Sequence, residues 1–203
     1  QRIHRLARRA AKAADRNHAN LRTFAAIPLQ HAPAAPRERR PRTIRLLRRE
    51  RARLHWRWSK LTQNAMGNPV TAASGLTSGA CLRDERIRRF QIALAGEAVR
   101  VGQALGYTLE KIRGAEPEQY ARAAEGDSQA LKELETRIVP KEAENPRSSL
   151  QRPSMAQDIL KGRRSEIDAM NGFIARKGAE VHVPAPSHLK IADIVTRIER
   201  GEI

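Results

Sequence analysis

Asp84–Gly106, DERIRRFQIALAGEAVRVGQALG, is the stretch that decides the fold class of this chain. Ile87, Phe90, Leu94, Ala98, Val101 and Leu105 recur in it at steps of three and four. That spacing puts them on one face of a helix of about six turns. Asp84 stands where an N-cap belongs, and Gly106 where the left-handed residue that stops a helix belongs. Further along, Glu116–Glu144 is polar and helix-prone, with Pro140 expected to break it. Met155–Leu160 predicts a short helix ending at Gly162. Ser165-Glu-Ile-Asp168 has the spacing of a capping box and opens a helix through Met170, Ile174 and Lys177. After Val183-Pro-Ala-Pro186, Ser187 is placed to cap a last helix carrying Leu189, Ile194, Val195 and Ile198. No segment alternates as a half-buried strand does. The expectation is an all-α domain over residues 56–203.

The chain has 203 residues and a formal net charge of +17, unevenly spread. Residues 1–57 carry +14 and the remainder only +3. The first part is almost entirely Arg, Ala, Leu, His and Pro. Pro28, Pro33, Pro36 and Pro41 interrupt it, and the first glycine of the chain is Gly67. With so much like charge and so little to bury, residues 1–55 are expected to be disordered or loosely helical. Aromatics make up 3% of the chain, so the core must be aliphatic. Cys81 is the only cysteine, which excludes an internal disulfide and suits a reducing cytoplasm. No apolar run approaches the ~18 residues of a membrane span. No metal site is expected, because His4, His18, His31 and His55 lack carboxylates at ligand spacing. His182 and His188 flank the Pro186 turn and are expected at the surface.

Trp58-Ser-Lys-Leu-Thr-Gln-Asn-Ala-Met-Gly-Asn-Pro-Val-Thr-Ala72 carries the chemistry. Lys60, Asn64 and Asn68 follow one another at four-residue steps, along one side of a helix. A surface lysine with a solvated head is the ordinary case. Asparagine, however, is a mediocre helix former, and two on one side cost stability unless they bind or cap something. Asn68-Pro69 reads as a helix end and a fresh start. A lysine with a carboxamide one turn away offers a proton donor and a group able to hold a hydroxyl or carboxylate. That suits a small, oxygen-rich anion. Glu166 alone would be dipole compensation in a first turn, and Ser154, after Pro153, a cap.

Together these residues resemble a known family. The run Trp58-x-Lys60-x-x-x-Asn64-x-x-x-Asn68-Pro69-x-Thr71-Ala72, then Gly75-Leu76-Thr77-x-Gly79, is similar to the start of the C-terminal domain of ketopantoate reductase (2-dehydropantoate 2-reductase). Pro153 through Asp168, Asn171-Gly172 and the Val183–Pro186 turn resemble the second signature of that family, in the same order. The resemblance implies a helical substrate-and-dimerisation domain of the ketopantoate reductase and 6-phosphogluconate dehydrogenase-like type. It belongs to an enzyme that uses NADPH to reduce ketopantoate to pantoate in pantothenate biosynthesis. It also implies roles. Lys60 would be the general acid that protonates the carbonyl oxygen, partly buried to tune it. Asn64 would hydrogen-bond the substrate, while Glu166 and Ser154 would bind its hydroxyl and carboxylate end.

Two departures stand out. Family members usually carry Asn where this chain has Ser78, which shortens a substrate contact. The family also begins with a Rossmann domain whose glycine-rich turn meets the cofactor pyrophosphate, and residues 1–57 contain no glycine. The expectation is therefore a truncated, cytoplasmic oxidoreductase half, with a homodimer among its expected partners, which alone is inactive and whose basic segment looks like a G+C-rich region read out of frame. Other readings stand beside it: an Arg-rich nucleic-acid-binding arm over 1–57, an import presequence, or a non-catalytic helical module that only dimerises.

Overall fold

The computed structural model describes residues 41–143 and 150–203, with side chains over 54–138 and 150–203. The expectations for residues 1–40, disorder and a nucleic-acid-binding arm, lie outside the described residues. Most of the described residues are helical. The elements are α1 (Pro41–Ser74), α2 (Ser78–Arg83), α3 (Glu85–Ala104), α4 (Pro117–Ala124), α5 (Ser128–Ala143) and α6 (Ser154–Leu160). A π-helical turn (Asp168–Gly172), α7 (Phe173–Glu180) and α8 (Pro186–Glu199) follow. Among the described residues there is no strand, only an isolated bridge between Ile112 and Ala115. The chain is all-α. No helix among the described residues is long and apolar enough to cross a membrane.

The periodic segment is the hub. Asp84 Oδ1 accepts from Ile87 N at 3.0 Å and starts α3, and Gly106 at φ 79° leaves it. Leu94, Ala95, Ala98, Val99 and Val101 are fully buried, and α3 touches α2, α4, α7 and α8. Two glycines set how closely its neighbours approach. A Cβ at Gly96 would run into the Tyr120 carbonyl and Ala124 of α4. A Cβ at Gly102 would overlap the Trp58 indole of α1. Trp58 is 1% exposed and donates Nε1–H to the Ala98 carbonyl at 2.9 Å, so the ring has nowhere to go. Gly102→Ala is therefore expected to lower the unfolding free energy by about 1–2 kcal/mol through overpacking, read by urea denaturation of the full chain.

Several helix ends differ from the sequence expectation, two of them because their amides are met by carboxylates of distant helices. Ser187 does not cap α8. Ala185 occupies the cap position without a side-chain bond, and Glu97 of α3 accepts from the Ser187 and His188 amides instead. Burial raises the Glu97 carboxyl above its usual range, against those hydrogen bonds. The Ser165–Asp168 capping box does not form either. Glu199 of α8 accepts from Ser165 N at 2.6 Å, and Asp168 pairs with Arg176. Ser154 is the first residue of α6, after Pro153 at the cap, and makes no capping bond. Finally, α5 runs past Pro140 to Ala143.

Candidate functional site

The orientation of α1 follows from Trp58. With about 100° per residue, Lys60 lies roughly 200° from Trp58 around the helix. Burying the indole against α3 therefore turns Lys60 outward, and it is exposed. Asn64, one turn on, is half-buried, as is Asn68. Beside Lys60, Ser59 Oγ donates to the His55 carbonyl at 3.0 Å and accepts from Glu110 N at 2.8 Å, tying the 107–116 loop along the helix.

Asn68-Pro69 does not end the helix. α1 continues through Pro69 to Ser74. Proline lacks an amide hydrogen, so the carbonyl four residues earlier, Ala65, loses its helical donor. Asn171 supplies the replacement. Its Nδ2 donates to Ala65 O at 3.0 Å, across 106 residues of sequence. The same amide group lies 3.0 Å from His188 Nδ1, and His188 Nε2 lies 2.8 Å from the Leu94 carbonyl. A carbonyl only accepts, so Nε2 carries the imidazole proton and Nδ1 accepts from Asn171. The expectation that His188 lies at the surface is thus overturned, because it is completely buried at the junction of α1, α3 and α8. Burial pushes its pKa from 6.5 down to about 4, the Leu94 hydrogen bond pulling slightly the other way. His182 is exposed.

This network holds the turn that follows Glu166. Asn171 lies in the π-helical turn that follows Glu166, and Met170 N donates to the Glu166 carbonyl at 3.0 Å. Docking Asn171 on Ala65 therefore holds the π-helical turn against the Trp58 side of α1. Glu166 is half-buried. Among the described residues, no hydrogen bond or ion pair engages the side chains of Lys60, Asn64 or Glu166. A second tie serves the other pair. Ser78 N and Oγ both donate to the Gln151 carbonyl, at 3.1 and 3.2 Å, which holds Ser78 to the segment leading into Ser154. Ser154 is exposed. None of the five lines the groove of about 480 Å³ between the end of α1, α6 and α8, whose walls include Ala156, Ile159, Ile194 and Ile198.

Asn171 and His188 are the buried ties that sequence reasoning missed. A signal existed in the proline inside a helical motif, which announces an orphaned carbonyl four residues back.

Comparison with known proteins identifies the family of the chain. The family described as "Ketopantoate reductase PanE/ApbA C terminal" matches residues 53–199. A 2-dehydropantoate 2-reductase of Archaeoglobus fulgidus is 26% identical over 144 residues, covering 71% of this chain and 40% of that protein. The crystal structure of a PanE/ApbA family ketopantoate reductase from Ralstonia eutropha is 28% identical, with a TM-score of 0.54, over 71% of this chain and 41% of the other. The dimeric ketopantoate reductase of Staphylococcus aureus shares the fold at 23% identity and a TM-score of 0.50, over 72% of this chain and 43% of that one. The chain thus spans about two fifths of the length of these relatives. It belongs to the ketopantoate reductase family, whose C-terminal domain it carries.

Proposed function

We propose that residues 56–203 are the substrate-binding and proton-donating half of an NADP-dependent 2-dehydropantoate 2-reductase acting on a small 2-oxo acid. The observation that supports this reading is the family match over residues 53–199, with Lys60 exposed and Asn64 half-buried along one side of α1. Lys60 is the general acid: its ammonium gives a proton to the carbonyl oxygen that becomes the hydroxyl of pantoate. Asn64 donates its amide to the substrate and fixes it against Lys60. Ser154 and Glu166 take the carboxylate and hydroxyl end, with Ser78 at the rim. Lys60 is exposed, so the partial burial that tunes such a lysine must come from whatever covers this face of α1.

NADPH is the hydride source in this reading. Among the described residues there is no glycine-rich strand-to-helix turn of the kind that cradles a dinucleotide pyrophosphate, so none of them is assigned to the cofactor. By analogy with the dimeric relative, we extend the proposal to a homodimer. The single, buried Cys81 suits a reducing cytoplasm.

The test is a titration of the full chain with ketopantoate and with pantoate, followed by saturation-transfer NMR. Glu166→Gln is expected to weaken pantoate binding about tenfold, roughly 1.4 kcal/mol, and Lys60→Ala to weaken ketopantoate binding by a similar factor. Affinities unchanged in both variants would remove these assignments.

A further inference from the structure

Arg113 occupies a position its backbone resists. Arg113 (φ 49°) and Gly114 (φ 80°) form a two-residue turn, closed by Ile112 N to Ala115 O at 2.9 Å and Ala115 N to Ile112 O at 3.0 Å. Turns with both central residues at positive φ favour Asn, Asp or Gly, and an arginine there is strained. The strain is held by the surroundings. Tyr120 Oη donates to the Ile112 carbonyl at 3.1 Å, and Arg137 Nη1 donates to the Gly114 carbonyl at 2.9 Å. Strained residues pinned so firmly concentrate at functional sites.

The side chain reaches α1 at Gly67. A Cβ on Gly67 would sit 3.2 Å from Arg113 Nη2, so a larger residue would crowd the guanidinium. Gly67 follows Asn64 by three residues and Lys60 by seven, which places all three on one side of α1 within about 10 Å along the axis. Lys60 on this side is exposed, yet Gly67 is buried, because Arg113 covers it.

Resting on the function proposed above, we infer that Arg113 is a specificity-determining residue of that site: a fixed positive charge that joins Ser154 in holding the carboxylate of the 2-oxo acid, while Glu166 takes its hydroxyl. The charge balance asks for one. Glu166 and the substrate each bring a carboxyl group, while Lys60 gives up its charge as it gives up its proton. Arginine does not deprotonate, and its planar fork matches a carboxylate. Asn64, lying between Lys60 and Gly67 on the helix, sets the 2-oxo group between the two cations.

The experiment titrates the full chain, wild type and variants, with ketopantoate and with its uncharged methyl ester, by ligand-observed NMR. Wild type is expected to prefer the acid about tenfold or more. Arg113→Gln should lose that preference while keeping its affinity for the ester, and Arg113→Lys should keep part of it. Arg113→Gly supplies the control, since glycine accepts the positive φ. Its unfolding midpoint should rise while its preference for the acid disappears, an outcome that a merely structural arginine would not give. The inference is overturned if Arg113→Gln binds the acid as wild type does, or loses acid and ester alike. Binding of neither ligand by wild type overturns the proposed function, and this inference with it.

Discussion

Replacing Asn171 by leucine is expected to lower the unfolding free energy of the full chain by about 3 kcal/mol, although the side chain is similar in size. Two buried acceptors lose their donor at once, the Ala65 carbonyl and His188 Nδ1. Each such orphan costs about 1–3 kcal/mol. A partial offset comes from Asn171 itself, whose Oδ1 is buried without a partner and would be removed. The mechanism is checked by a double-mutant cycle with Pro69→Ala. That change restores an amide hydrogen at position 69, which Ala65 O can accept in the ordinary helical way. In that background Asn171→Leu should cost about 1 kcal/mol less, measured by urea denaturation. Strict additivity, within about 0.5 kcal/mol, would show that the amide is not standing in for the missing helical bond.

The second large effect is on pH dependence. His188 titrates at about 4 in the folded chain and near its ordinary 6.5 once unfolded. Between those values the unfolded chain binds the proton and the folded chain does not. Stability from this residue is therefore intact above about 6.5 and is lost as the pH falls toward 4, by about 3 kcal/mol in all. Glu97, whose carboxyl accepts from the His188 amide and whose pKa is raised by burial, acts in the opposite sense just above its usual range. A His188→Gln variant isolates the histidine, because a carboxamide can donate to Leu94 O and accept from Asn171 without titrating. The difference between the two stability curves should slope between pH 4 and 6.5 and be flat above. A difference that stays flat throughout that interval would contradict the buried, neutral imidazole.

Local pattern revealed the parts that local forces build. Asp84, the three-and-four spacing through Leu105 and Gly106 lie within one helix, so their reading survives in α3 with its cap and its stop. Position 69 misleads because the group that permits the helix to continue belongs to Asn171, 106 residues away. His188 misleads for a related reason. A histidine beside a proline turn looks solvated until the Leu94 carbonyl and the Asn171 amide are both seen facing it. The caps of α8 and of the Ser165 segment were assigned to near neighbours because a sequence shows only near neighbours, whereas Glu97 and Glu199 reach them across the fold. For the candidate site, Lys60, Asn64, Ser78, Ser154 and Glu166 were legible as a motif. The buried network behind α1 was not, since half of it is the Ala65 and Leu94 backbone carbonyls, which have no letter.

The bond from Glu199 to the Ser165 amide gives the end of the chain a say in its middle. Glu199 is the last residue of α8, at a place where trimming to a tidier boundary looks harmless. Yet Ser165 immediately precedes Glu166. A version ending two residues earlier, at Arg197, would free the lead-in to that carboxylate while leaving every residue of the motif in place. The boundary of the working unit is thus drawn by a tether rather than by the edge of the hydrophobic interior.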